Sequence, residues 1–101
     1  MLQGVIVAML TPFDEKGELY EEGVRGVASW LIDKGVHGLF VCGTAGEGLL
    51  MSTTQRQRVA EIAVDEVKGR IPVIVHAGAI STAEAIALAQ HAQEAGAQAA
   101  A

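Results

Sequence analysis

The sequence predicts an α/β fold built on a parallel sheet, and three observations carry that reading. Short runs of strand length, apolar but for His76, recur at residues 5–10, 39–42 and 73–76, and the second, without polar alternation, is the pattern of a strand buried on both faces. Between them lie longer segments with apolar residues at helical spacing and with helix start and stop signals. Two of the apolar runs lead into loops of small residues, at 43–48 and 77–80. Alternating strands and helices imply right-handed crossovers between parallel strands.

The first strand, Val5-Ile6-Val7-Ala8-Met9-Leu10, is stopped by Thr11-Pro12, because proline brings no donor to a ladder. Residues 13–19 carry Asp14, Glu15, Lys16 and Gly17, a solvated turn. A helix is expected over about residues 21–34, with Val24, Val27, Ala28, Leu31 and Ile32 on its apolar side. Lys34-Gly35 is an ordinary helix end. The second strand, residues 39–42, then runs into the glycine loop. Ser52-Thr53-Thr54-Gln55 fits a capping box, in which each side chain serves the other residue's backbone N–H. The helix it opens carries Val59, Ile62, Ala63 and Val67 on one side. Arg56, Arg58, Glu61, Asp65 and Glu66 read as its solvated face, and Gly69 closes it. Pro72 leads into the third strand, Val73-Ile74-Val75-His76. Ser81-Thr82-Ala83-Glu84 reads as a second capping box, opening a helix that runs to about residue 95 and ends at Gly96. Ala97 onward would start a fourth strand.

A hydrophobic share of 50% with only 4% aromatic residues is an Ala/Val/Gly-rich α/β composition rather than a β-sandwich one. The net charge is −5 and no basic block occurs, which argues against nucleic acid and anionic membrane as partners. No apolar run approaches the ~18 residues of a membrane span. The N-terminus has no basic region ahead of its short apolar stretch, so it does not read as a signal peptide. The single cysteine, Cys42, has no internal disulfide partner; in a buried strand it reads as an inert, reduced thiol of a cytoplasmic protein. Three strand–helix units leave two open sheet edges. A doubly wound domain takes about five strands, and a barrel takes eight in roughly 250 residues. Residues 1–101 are therefore expected to be the first part of a single larger domain.

The loop Gly43-Thr44-Ala45-Gly46-Glu47-Gly48 holds three glycines in six residues. They permit backbone angles that a Cβ forbids, and they let amide N–H groups approach a ligand. The carboxyl end of a parallel strand is where α/β proteins bind ligands. The loop thus fits an anion cradle, or else a tight strand-to-helix connection with no ligand. Thr44 adds a hydroxyl. Glu47, its only charge, reads as a structural tie, since a carboxylate beside a bound anion is repulsive. No Lys-Ser/Thr pair follows, so it is not a Walker phosphate loop. The spacing G-x-x-G-x-G is not a dinucleotide fingerprint. His76 fits either a substrate-facing or a satisfied core histidine, and His37 and His91 read as surface residues.

These residues resemble a family. The run from Gly4-Val5-Ile6-Val7-Ala8 to Thr11-Pro12-Phe13 looks like the N-terminal strand of the dihydrodipicolinate synthase and N-acetylneuraminate lyase family. Gly43-Thr44-Ala45-Gly46-Glu47 resembles its G-[ST]-x-G-E signature. Ile71-Pro72-Val73-Ile74-Val75, Gly78 and Ser81-Thr82-Ala83-Glu84-Ala85 match its third strand and following helix. The resemblance covers nearly the whole chain, and about the first third of the family's barrel.

The resemblance implies a (β/α)₈ TIM barrel, of which this chain supplies about the first three strand–helix units. It implies a class I, Schiff-base lyase or aldolase. A lysine amine condenses with pyruvate or another 2-oxo acid, and the iminium acts as an electron sink for joining or cleaving a bond to an aldehyde. Dihydrodipicolinate synthase-like chemistry is the main reading, and cleavage of N-acetylneuraminate or a 2-keto-3-deoxy sugar acid is the alternative. Thr44, Ala45 and Gly46 would bind the substrate carboxylate, and Thr44 would also join a catalytic proton relay with tyrosines. No metal or organic cofactor is required, and a homo-oligomer, a tetramer, is implied. The imine-forming lysine and its partner tyrosine lie beyond residue 101 in the family. Lys16, Lys34 and Lys68 fall in a polar turn or at helix ends, and Tyr20 falls in the turn. The alternative of another class is therefore a non-catalytic barrel fragment. Ala45 stands where the synthase and the lyase usually carry a hydroxyl residue, so only its amide can donate. His76 before Ala77-Gly78 resembles the lyase-like branch more than the synthase.

Overall fold

Four parallel strands stand side by side in the order in which the chain makes them, β1-β2-β3-β4. The computed structural model describes residues 5–43, 51–78 and 81–100. The elements are β1 (Ile6–Ala8), α1 (Glu21–Asp33), β2 (Gly38–Val41), α2 (Thr53–Val67), β3 (Val73–Val75), α3 (Thr82–Ala95) and β4 (Ala99–Ala100). Val7 lies opposite Leu39, and Phe40 lies opposite Ile74. This sequential order is that of a barrel wall, whereas a doubly wound sheet reverses its order part-way. Helix α2 packs on β2 and β3, with α1 on one side of it and α3 on the other.

The core lies between sheet and helices. Leu39 and Val41 of β2 and Val73 and Val75 of β3 meet Val24 and Ala28 of α1 and Val59, Ile62 and Ala63 of α2. The expected stripe of α1 divides: Val24, Ala28 and Leu31 are buried, and Val27 and Ile32 flank them half-buried. The first strand, expected over residues 5–10, is three residues long. Val5, Ile6 and Leu10 are exposed. The reason is position: among the described residues β1 is a sheet edge with one neighbour. Met9 still turns inward, its N–H donating to the Phe40 carbonyl at 2.9 Å.

The helix ends show which local signals the fold uses. At α2 the capping box is complete: Ser52 Oγ accepts from the Gln55 N–H at 3.1 Å, and Gln55 Oε1 accepts from the Ser52 N–H at 3.0 Å. At α3 only half of the expected box forms. Ser81 Oγ accepts from the Glu84 N–H at 3.1 Å. The Glu84 carboxylate instead accepts from the Thr53 hydroxyl at 2.7 Å, tying the starts of α2 and α3 together. Helix α2 turns off at Lys68 (φ +52°), ahead of Gly69 (φ +78°).

The charged residues of α2 are not simply a solvated face. Arg58 donates to Glu21 of α1 at 2.9 and 3.0 Å and to Glu61 at 3.3 Å. Glu61 meets His91 Nε2 of α3 at 2.7 Å, so His91 is half-buried and paired rather than free on the surface. Arg25 of α1 donates to Asp65 at 2.6 Å. The His91 bond, followed by Arg58, holds the Glu61 carboxyl below its usual range. Exposed pairs of this kind contribute little singly; here they join three helices in one row.

Strand β2 leaves the core through Cys42. Its side chain is fully buried, and its φ of +63° lies in the left-handed region, rare for a non-glycine residue. Burial pushes the thiol up to about 11, with Arg56 offsetting part of the shift. The fold thus prefers the neutral thiol. The associated stability is full below the ordinary thiol value of 9.0 and is lost as the pH rises through about 11. At pH 8 in iodoacetamide, peptide mass spectrometry of the folded protein is expected to show Cys42 unmodified, with full labelling only in guanidinium. Equal labelling with and without denaturant would contradict this burial.

Candidate functional site

A parallel sheet sends every strand's carboxyl end to the same side. Here the exits of β2 and β3 are level, because Val41 pairs with Val75 and the His76 N–H donates to the Val41 carbonyl at 2.9 Å. Two rings mark the junction. Phe40 and His76 meet edge to face, with centroids 5.9 Å apart and planes at 65°, the geometry preferred by aromatic quadrupoles.

Those rings explain two glycines. A Cβ on Gly43 would lie 2.5 Å from Phe40 Cε2, and one on Gly78 would lie 2.7 Å from His76 Nε2. Residue 43 must therefore be small for the Phe40 ring to fit, a packing reason that the sequence reading of backbone freedom and ligand approach does not contain. His76 is half-buried and packed, with its carbonyl also engaged. His37 is exposed, and its Nδ1 accepts from the Val5 N–H at 2.8 Å.

Arg56 overturns the expectation of a solvated residue. Its exposure is 2%. Nη1 donates to the Gly78 carbonyl at 2.7 Å, and Nη2 donates to the His76 carbonyl at 2.6 Å. Nε has no partner among the described residues. The backbone carbonyl of Arg56 accepts from the Cys42 thiol at 3.7 Å. Hydrogen bonds to a charged donor are worth about 1.5–3 kcal/mol, and a buried carbonyl left without one costs about 1–3 kcal/mol. A signal was present in the sequence. Arg56, Val59, Ala60, Ala63 and Val67 follow helical spacing, so Arg56 lies on the apolar stripe. Thr11, at the exit of β1, is a second buried polar residue, with no partner for its hydroxyl among the described residues.

The substrate residues expected from the sequence, Thr44, Ala45 and Gly46, lie outside the described residues, as do Glu47, Ala79 and Ile80. The described residues flanking the first segment, Gly43 and Met51, are both buried. Lys16, Lys34 and Lys68 are exposed, and Lys34 lies 5.3 Å from the centre of the Trp30 ring. Tyr20 is exposed at the start of α1. Among the described residues, no group of three or more His, Cys, Asp or Glu side chains could hold a metal ion. No helix there is long and apolar enough to cross a membrane.

Comparison with known proteins agrees with this geometry. The model of the dihydrodipicolinate synthetase family matches residues 1–101. A 4-hydroxy-tetrahydrodipicolinate synthase of Brucella abortus is 46% identical over 98% of this chain and 34% of its own. Among solved structures, a prophage protein of the dihydrodipicolinic acid synthase family from E. coli K12, in complex with pyruvate, is 36% identical with a TM-score of 0.95. It covers 99% of this chain and 34% of its own. The N-acetylneuraminate lyase of Proteus mirabilis is 35% identical with a TM-score of 0.93, over 99% of this chain and 34% of its own. The chain thus spans about a third of the length of the relatives it matches. Since the family's model matches it from end to end, the chain belongs to the dihydrodipicolinate synthetase family.

Proposed function

We propose that the whole protein is a pyruvate-dependent, class I Schiff-base lyase of the dihydrodipicolinate synthase type, with residues 1–101 as the N-terminal part of its single barrel domain. The observation that carries this reading is a G-T-A-G-E loop placed by the sequence at the carboxyl end of a parallel strand, in a chain whose relatives include a pyruvate complex. A lysine supplied by the rest of the barrel would attack the keto carbon of a 2-oxo acid and release water. The iminium would then accept the electron pair as a proton leaves the methyl carbon, and the resulting enamine would add to an aldehyde. Thr44, Ala45 and Gly46 would hold the carboxylate through their amides. The Thr44 hydroxyl would pass protons between substrate and relay. Because the iminium formed on the lysine is the electron sink, the reaction calls for no metal or organic cofactor. A cytoplasmic homo-oligomer, a tetramer, belongs to the same proposal.

A second reading is cleavage of N-acetylneuraminate or of a 2-keto-3-deoxy sugar acid. His76 before Ala77-Gly78, which resembles the lyase-like branch, favours it, as does the likeness to the Proteus lyase. Residues 1–101 alone would be a non-catalytic part of either enzyme, since all three of their lysines are exposed.

Borohydride added to the full-length protein with pyruvate should fix a reduced pyruvyl group on one lysine outside residues 1–101. An adduct on Lys16, Lys34 or Lys68, or no adduct, would overturn the proposal. Thr44→Val keeps the shape and removes the hydroxyl. Exchange of the pyruvate methyl protons into D₂O should slow by roughly 10²-fold or more, the scale of a positioned proton-transfer group. Exchange at the wild-type rate would make Thr44 a turn residue only.

A further inference from the structure

We infer that Arg56 is a positioning residue for the carboxylate cradle, fixing the exit of β2 to the exit of β3. The inference rests on the pyruvate reading proposed above. Arg56 stands in the first turn of α2, where its N–H donates to the Ser52 carbonyl at 2.9 Å. From there it holds two strand exits at once. Its backbone carbonyl takes the thiol of Cys42, two residues ahead of Thr44. Its guanidinium takes the carbonyls of His76 and Gly78, at 2.6 and 2.7 Å. Among the described residues, these two carbonyls receive their bonds from Arg56 alone. They lie past the last ladder bond of β3, so a donor must come from outside the sheet.

The chemistry of the side chain fits this task. A planar fork presents two N–H groups in fixed relation, and so spans two carbonyls of one chain segment. Lysine, a point donor, reaches one. Among the described residues, neither bond drawn from the guanidinium goes to a carboxylate. Among the described residues it is a clamp on backbone. The Phe40 and His76 rings fill the space between the same two exits. Rings and clamp together hold Cys42-Gly43, the lead-in to Thr44, against the start of the next loop.

The test is borohydride trapping by the full-length protein as a function of pyruvate concentration, in wild type, Arg56→Met and Arg56→Lys. The half-saturating pyruvate concentration is expected to rise roughly tenfold or more in Arg56→Met, as misplacement of a binding group does. The adduct yield at saturation should stay at the wild-type level. Arg56→Lys should show a smaller rise with the same yield, and it carries the test if Arg56→Met does not fold. An unchanged half-saturation in the folded variants, with only the yield or the melting temperature lowered, would make Arg56 a structural brace and overturn the inference. No adduct in the wild type would instead overturn the pyruvate reading, and the inference with it.

Discussion

Parallel pairing of β2 with β3, register fixed by Leu39 opposite Val73 and Val41 opposite Val75, is the constraint on which the rest depends. It brings two chain exits to the same height on the same side of the sheet. Everything that the described residues hold near those exits follows from it: the ring pair of Phe40 and His76, the glycines at 43 and 78, and the reach of Arg56. A slip of one residue would turn the buried side chains of β3 to the other face. It would also carry the His76 and Gly78 carbonyls away from the guanidinium.

The exits pose a polar problem that the core cannot solve. Backbone carbonyls beyond the last ladder bond remain strong acceptors, and burial without a donor is costly. The fold answers with a buried cation from the following helix, although a buried charge is itself expensive to desolvate. Two short bonds to carbonyls offset that cost and use the charge to fix backbone. The outer ion pairs, Arg58 with Glu21 and Arg25 with Asp65, are of a different kind. They are exposed, screened by salt, and join helices without shaping the exits.

Much of the fold was legible because it is written locally. Apolar runs marked β2 and β3, helical spacing marked α1 and α2, Ser52 with Gln55 marked the start of α2, and Ser81 and Gly96 marked the ends of α3. What was not legible depends on residues distant in sequence. Glu84 has the spacing of a capping box, yet Thr53, 31 residues away, takes its carboxylate. Arg56 sits on an apolar stripe, but only the exits of another strand make burial of a guanidinium tolerable there. Gly43 looks like a residue freed for a ligand, whereas the Phe40 ring already requires it to lack a Cβ. The exposure of Val5, Ile6 and Leu10 follows from the edge position that β1 has among the described residues, which no local pattern encodes. The carboxylate-binding roles proposed for Thr44, Ala45 and Gly46 come from family resemblance, not from spacing alone.

The central claim is that the segment after Gly43 receives the carboxylate of a 2-oxo acid. It is tested most directly by a crystal structure of the full-length protein reduced with borohydride in the presence of pyruvate. The pyruvyl carboxylate is expected within hydrogen-bonding distance of backbone N–H groups in residues 44–46, with the Thr44 hydroxyl beside it. A carboxylate held by other residues, with 44–46 out of contact, would contradict it.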